Sequence, residues 1–281
     1  MSSHLSVSNA FAGLPLSRRA TREDELQEDN DELVQTAITA IGDQLLAEEA
    51  LQRQTRALAL AAHELRNPLT PVRSAALLLG KATSLDQLPR LAAIIERQVM
   101  HMTRMIDDLL DAARVTTGKL HVVRTRLDLH EVFDNVVDVC RPAMDARQQS
   151  FTLNVPERPL VLEGDLLRLS QVFTNILNNA AKYTPVGGAI SLDCSVDAPG
   201  GGGGEVVVAV SDNGIGISPA ALPVIWEPFV QDPQAMVFSN EGLGVGLTLV
   251  RELVQAHAGS VSASSAGAGH GSRFVVVLPL A

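Results

Sequence analysis

Apolar residues along the chain follow two different rhythms. From Leu33 the pattern is helical, and from Leu58 it tightens to Leu58, Ala62, Leu65, Leu69, Val72, Ala76 and Leu79, alternating four and three residues apart. That alternation is a heptad seam, the stripe along which helices pack when they coil around one another. Gly80 and residues 83–89 interrupt it, and Leu91, Ile95, Val99, Met102, Ile106, Leu109 and Ala113 then trace a second stripe. Two long helices with a short loop predict a hairpin. Its stripe lies on one side only, so it must be buried against another surface. A second copy of the chain supplies that surface most economically, as a dimeric four-helix bundle. A coiled-coil spacer without chemistry would carry the same heptads.

Beyond Gly118 the rhythm changes. Strand-like runs at 120–123, 206–210 and 274–278 alternate with helical ones, predicting an α/β domain. Asp128 with Glu131 reads as a capping box for a helix bearing Leu129, Val132, Phe133, Val136 and Cys140 on one side. Asp165 can cap another helix, whose inward face is Leu169, Val172, Phe173, Ile176, Leu177 and Ala180. Residues 199–204 read as a glycine-rich hairpin connection. The expected organisation is a frayed tail at 1–22, a signalling helix at 23–52, the hairpin at 53–118 and the α/β domain at 119–281.

Composition narrows the function classes. In 281 residues, hydrophobic side chains make up 46% and charged ones 19%, which excludes a wholly disordered chain. The formal charge of −10 leaves no basic footprint for nucleic acid. No apolar run reaches the roughly 18 to 20 residues that cross a bilayer, and the start lacks signal-peptide order, so no direct membrane span and a cytoplasmic location are expected. Cys140 and Cys194 lack metal-ligand spacing and read as free buried thiols. His4, His101, His121, His130 and His270 are not spaced as a metal site, and His257 reads as structural.

Candidate chemistry starts at His63. It stands one residue past a seam position, which turns its imidazole toward solvent, where a neutral ring nitrogen can act as a nucleophile. Glu64 beside it can orient the ring or take its proton. Pro68 removes one helical hydrogen bond just beyond. In the α/β domain, Asn175 and Asn179 share a helix edge and can point amide oxygens at one cation, for which Mg2+ is the natural candidate. Asp212, at a strand end, can accept from an adenine amino group, and Gly214 and Gly216 let backbone and ring approach closely. The run from Glu241 through Gly242, Gly244 and Gly246 to Leu247 starts a helix whose amides can hold phosphate oxygens. No Gly-x-x-x-x-Gly-Lys-Ser/Thr loop and no His-Arg-Asp catalytic loop is present.

The run His63-Glu64-Leu65-Arg66-Asn67-Pro68-Leu69 closely resembles the phosphoacceptor box of sensor histidine kinases. Arg168 to Thr184, Asp212-Asn213-Gly214-Ile215-Gly216, Trp226-Glu227-Pro228-Phe229, the glycine run at 241–247 and Gly269 to Phe274 resemble the successive boxes of that family's ATP-binding domain, in order. The resemblance covers roughly residues 53–281. It implies a helical hairpin dimerising into a four-helix bundle, then an α/β two-layer sandwich of the type shared with Hsp90-type chaperones and gyrase-type ATPases.

The activity so implied is ATP- and Mg2+-dependent phosphorylation of His63, followed by transfer to an aspartate on a response-regulator receiver domain. By the same resemblance Asn67 helps position water for dephosphorylating the regulator, Asn179 contacts the metal, Lys182 reaches phosphate and Tyr183 lies on adenine. Phe229 opens an ATP lid over 230–241, and Ser272 closes the site near adenine. Val245, Gln231 and the trio His257-Ala258-Gly259 depart from the usual pattern. A dimeric scaffold that sequesters a regulator, and an ATPase or anti-sigma-type serine kinase, are the rival readings.

Overall fold

The computed structural model describes residues 16–81, 85–116, 121–197, 204–238 and 243–281. The chain divides into two compact units, Met1–Ala59 and Leu60–Ala281. In the first, the described backbone is the N-terminal part of helix α1, Leu16–Leu79. The helix takes in the last seven residues of the expected tail, 16–22, because apolar periodicity marks which face is buried and says little about helix propensity. Leu33, Val34, Ile38, Ile41 and Leu45 are all exposed on it. No helix of the described residues is long and apolar enough to cross a membrane.

In the second unit α1 continues through Pro68 and Pro71 to Leu79. A single 3-10 turn, Leu85–Gln87, leads into helix α2, Leu88–Thr116, with Pro89 in its first turn, where a missing N–H costs nothing. The predicted hairpin is there, but its stripes split in two. Leu65, Val72 and Leu79 on α1, and Ile95, Met102 and Leu109 on α2, are half-buried, whereas Ala62, Leu69 and Ala76, and Val99, Ile106 and Ala113, are exposed. Leu91, on the second predicted stripe, is buried, whereas the other buried apolar residues Ala61, Ala75 and Met105 lie beside the predicted seams. The side chain of Leu58 lies outside the described residues.

The α/β part starts one short step later than the sequence suggested. Residues 121–124 form no strand, and β1 is Thr125–Asp128, paired antiparallel with β3, Val161–Gly164. A four-residue strand in a two-stranded ribbon leaves too little alternation to be seen in sequence. The main sheet has order β2-β4-β5-β7-β6, from β2 (Ser150–Asn154), β4 (Ala189–Asp197), β5 (Glu205–Asp212), β6 (Ser260–Ser264) and β7 (Ser272–Pro279). Only the β2–β4 pair is parallel. Asp197 pairs with Glu205, so β4 and β5 form the expected hairpin around residues 198–203, which lie outside the described residues.

Three helices cover one face of this sheet: α3 (Leu129–Ala146), α4 (Leu166–Tyr183) and α6 (Gly246–Ala256). Both predicted N-cap residues act as caps, although Asp128 bonds to His130 rather than to Glu131 as the expected capping box requires. The Asp128 carboxylate accepts from His130 N–H, and that of Asp165 accepts from Leu167 and Arg168 N–H. Every predicted inward residue of α3 and α4 is buried. Phe133 and Phe173 meet edge to face, 5.4 Å between centroids, over Ile190, Leu192, Val206, Val208, Phe274 and Val276 of the strands. The period of 3.6 on the helices and of 2 on the strands thus closes a core within one chain.

His257, at the end of α6, is structural as expected: Nδ1 lies 2.7 Å from the Leu253 carbonyl and Nε2 accepts from Asp165 N–H at 3.0 Å. Burial first, and then the charge of Arg124, hold its pKa below the ordinary imidazole value. Cys140 and Cys194 are free, with burial pushing each thiol up to about 11.

Candidate active site

The acceptor region lies on α1. His63 exposes 61% of its side chain, while Glu64 beside it exposes 7%. The split follows from a helix geometry that turns consecutive side chains about 100° apart. Glu64 Oε1 lies 3.6 Å from His63 Nδ1, too long for a hydrogen bond but close enough for its charge to act on the ring. One turn on, Asn67 Nδ2 lies 3.5 Å from the same ring nitrogen and 3.4 Å from Glu64 Oε1. The three predicted residues form one cluster in which His63 and Asn67 are exposed and Glu64 is buried.

The second site is a cavity of about 760 Å³ beside α4. Asn175, Asn178, Asn179, Lys182 and Tyr183 line it, spaced along one helix edge, and Lys182 Nζ sits 4.6 Å from the Tyr183 ring centroid. Asp212 arrives from the end of β5. Its Oδ1 accepts from Gly214 N–H at 2.8 Å, and its Oδ2 accepts from the Ser272 hydroxyl at the start of β7. A side chain at Gly214 would strike the Tyr183 carbonyl, so glycine is what lets the strand end lie against the last turn of α4.

Gly216, Gly244, Gly246, Leu247 and Ser272 also line the cavity, with α6 starting at Gly246, and α2 contributes residues such as Met105 and Asp111. The unsatisfied amides of that helix start are a fitting place for anionic oxygens.

Two predicted residues among those described do not line the cavity. Gly214 is buried and shapes the wall without lining it. Phe229 does not line the cavity itself; it packs with Leu243 and Val245, which do, against Ala61, Leu65, Met102, Met105 and Leu109 of the hairpin. Its N–H donates to the Gly244 carbonyl at 2.9 Å, which draws together the two ends of the segment expected to be a lid. Gly242 lies outside the described residues. Between those ends lies a short helix, α5 (Pro233–Phe238), with Asp232 accepting from Gln234 and Ser218 N–H.

A further polar cluster escaped the sequence reading. Asp111 on α2, with 6% of its side chain exposed, accepts from Arg168 Nη1 at 2.8 Å and Gln171 Nε2 at 2.9 Å, both on α4. Arg114 adds a longer contact of 3.2 Å. Burial works to raise the Asp111 pKa, but the bonds from Gln171 and Arg168 outweigh it and leave the carboxyl below its ordinary value. Arg168 and Gln171 were visible as motif members, but their partner 57 and 60 positions away was not.

Residues 53–118 match the model of the His Kinase A (phospho-acceptor) domain, and residues 164–281 match that of the histidine kinase-, DNA gyrase B- and HSP90-like ATPase. His63, Glu64 and Asn67 fall in the first match, and Asn175, Asn179, Lys182, Asp212 and Ser272 of the cavity fall in the second, while α2 residues such as Asp111 line the cavity from the first. The chain belongs to the sensor histidine kinase family.

Similar members of this family include the adaptive-response sensory kinase SasA of Thermosynechococcus vestitus, 36% identical over 241 residues, covering 83% of this chain and 61% of SasA. The autoinducer 2 sensor kinase/phosphatase LuxQ of Vibrio cholerae is 31% identical over 235 residues, covering 83% of this chain and 27% of LuxQ. The chain thus spans between about a quarter and three fifths of these two kinases. Among solved structures, full-length ShkA in complex with AMPPNP superposes with a TM-score of 0.58 at 28% identity, covering 80% of this chain and 46% of ShkA.

Proposed function

We propose that the cavity binds ATP with Mg2+, that the γ-phosphoryl group moves to His63, and that it passes from there to an aspartate of a response-regulator receiver domain. One observation carries this reading: residues from Asn175 to Ser272, on α4, β5, α6 and β7, converge on a single cavity while His63 stands exposed beside a buried carboxylate. ShkA, solved with AMPPNP, gives the nucleotide assignment a parallel in a similar fold.

The chemistry follows from the side chains. Asp212, fixed by Gly214 and Ser272, presents a carboxylate edge to the adenine amino group, and Tyr183 offers a ring face to the base. Among the described residues no cluster of His, Cys, Asp or Glu could cage a metal, which suits Mg2+ bound through phosphate oxygens, waters and the amide of Asn179, with Asn175 nearby. Bound there, Mg2+ would neutralise charge on the triphosphate.

Glu64, its Oε1 3.6 Å from His63 Nδ1, is placed to draw in and take the Nδ1 proton once the ring turns toward it, which leaves the Nε2 lone pair to attack the γ-phosphorus. The N–P bond forms as the bond to the ADP oxygen breaks, and the displaced proton passes to Glu64. Asn67, one turn away, is placed to orient a water for the reverse, regulator-dephosphorylating reaction. The exposed rows Ala62–Leu69–Ala76 and Val99–Ile106–Ala113 are the faces that meet in the dimer, and the reaction runs in the cytoplasm.

The test is incubation with γ-labelled ATP. Label that is acid-labile and base-stable, and that disappears in His63→Gln, is expected. Label persisting in that variant, or no label despite nucleotide binding, favours the ATPase or serine kinase and the sequestering scaffold respectively.

A further inference from the structure

Arg147, at the end of α3, touches three parts of the α/β domain at once. Its backbone N–H closes α3 on the carbonyls of Met144 and Asp145. Its Nη1 donates to the Ala181 carbonyl at 2.7 Å and to that of Lys182 at 2.6 Å, in the last turn of α4. The same guanidinium lies over the ring of Phe238, 5.9 Å from its centroid. Phe238 is the last residue of α5.

The carbonyls at a helix C-terminus have no partner within the helix and carry its negative end, so a cation is well placed there. Gln149 already serves this turn, donating to Ala181 at 2.9 Å and Thr184 at 2.7 Å. The turn is therefore held twice, and what Arg147 adds is the reach to α5. A planar guanidinium can hold two carbonyls with its edge while its face meets a ring, which a lysine ammonium cannot do. The turn it grips carries Lys182 and Tyr183, both of which line the cavity.

We propose that Arg147 is a positioning residue for nucleotide binding, tying the Lys182–Tyr183 turn of α4 to Phe238 so that both are set by one side chain. This rests on the cavity being the ATP site. Mg-ATP and Mg-ADP affinities, KM and kcat would be measured on the full chain for wild type, Arg147→Met, Arg147→Lys, Phe238→Leu and the double variant Arg147→Met/Phe238→Leu.

Arg147→Met is expected to raise KM for ATP roughly threefold to tenfold with kcat changed less than about twofold, and Arg147→Lys to fall between it and wild type. Phe238→Leu should weaken binding roughly twofold to fivefold, and the double variant should bind no worse than Arg147→Met alone. The single tyrosine and single tryptophan of the chain, Tyr183 and Trp226, give a fluorescence-transfer signal that should change in Arg147→Met. Should Arg147→Met fail to fold, the Lys and Phe238 variants carry the test.

A purely structural arginine would lower thermal stability, leave KM unmoved and make Phe238→Leu silent or additive, which overturns the proposal. Wild type that binds no Mg-ATP would overturn the nucleotide reading and this inference together. Wild type that binds it, with additive variants, overturns this inference alone.

Discussion

The α/β domain and the helical hairpin bury their apolar residues on different terms. In the domain, the inward faces of α3 and α4 and the alternating residues of β4, β5 and β7 meet in one core, with Phe133, Phe173 and Ile176 almost wholly buried. In the hairpin, one row of each heptad stripe packs inside the chain and the other stays exposed, with Leu69 at 52%, Val99 at 46% and Ile106 at 47%. The domain closes its core within one chain, whereas the hairpin leaves one row of each stripe uncovered. Apolar patterning of equal clarity therefore means two things, an internal core in one region and, on the reading proposed above, an interface in the other.

Substitutions can break this contrast from either side. The largest effect is expected for Phe173→Ala in the domain core, which should cost about 3 to 5 kcal/mol through lost burial and a residual cavity. Chemical denaturation followed at Trp226 would read it, and the midpoint should not depend on protein concentration. Leu69→Asp on the hairpin should leave that domain transition in place while converting the dimer to monomer in sedimentation equilibrium. A dimer that survives both Leu69→Asp and Ile106→Asp would show that these rows are not the interface.

A smaller effect is set by pH. Burial lowers the pKa of His257, so its contribution is complete above the ordinary imidazole value of about 6.5 and is lost as pH falls through its depressed folded value. His130 acts in the opposite sense. Its bond to Asp128 raises its pKa, giving stability below about 6.5 that fades as pH rises through the folded value. Unfolding free energies between pH 5 and 8, roughly the range in which imidazole titrates, should slope upward more steeply in His130→Gln and less steeply in His257→Gln than in wild type. The smallest effect is a gain: Ala258, held at φ +59°, occupies left-handed backbone that suits glycine, and Ala258→Gly should add about 0.5 to 1 kcal/mol.

Sequence reading succeeded where spacing is local. Asp165 and the run from Leu169 to Ala180 predicted the cap of α4 and six of its seven buried residues, since a cap and a 3.6-residue period are written within eighteen residues. Most of the cavity lining was legible as motif, including Asp212 with its Ser272 partner sixty positions away. Asp111 was not, because nothing around an acid on α2 announces that Arg168 and Gln171 will close on it. Nor were Arg147 and Phe238, which meet only after α3, α4 and α5 are in place. The division of each heptad stripe into a packed and an exposed row likewise depends on how α1 and α2 lean together, and periodicity carries no sign of it.

The central claim is that the cavity lined by Asp212 and the imidazole of His63 serve one phosphoryl transfer. Peptide mapping of the phosphorylated chain under base-stable conditions tests it most directly, applied to wild type, His63→Gln and Asp212→Asn after brief exposure to Mg-ATP. Phosphate confined to the peptide containing His63, and abolished in both variants, is the predicted result. Phosphate on any other peptide, or undiminished labelling of His63 in Asp212→Asn, would contradict it.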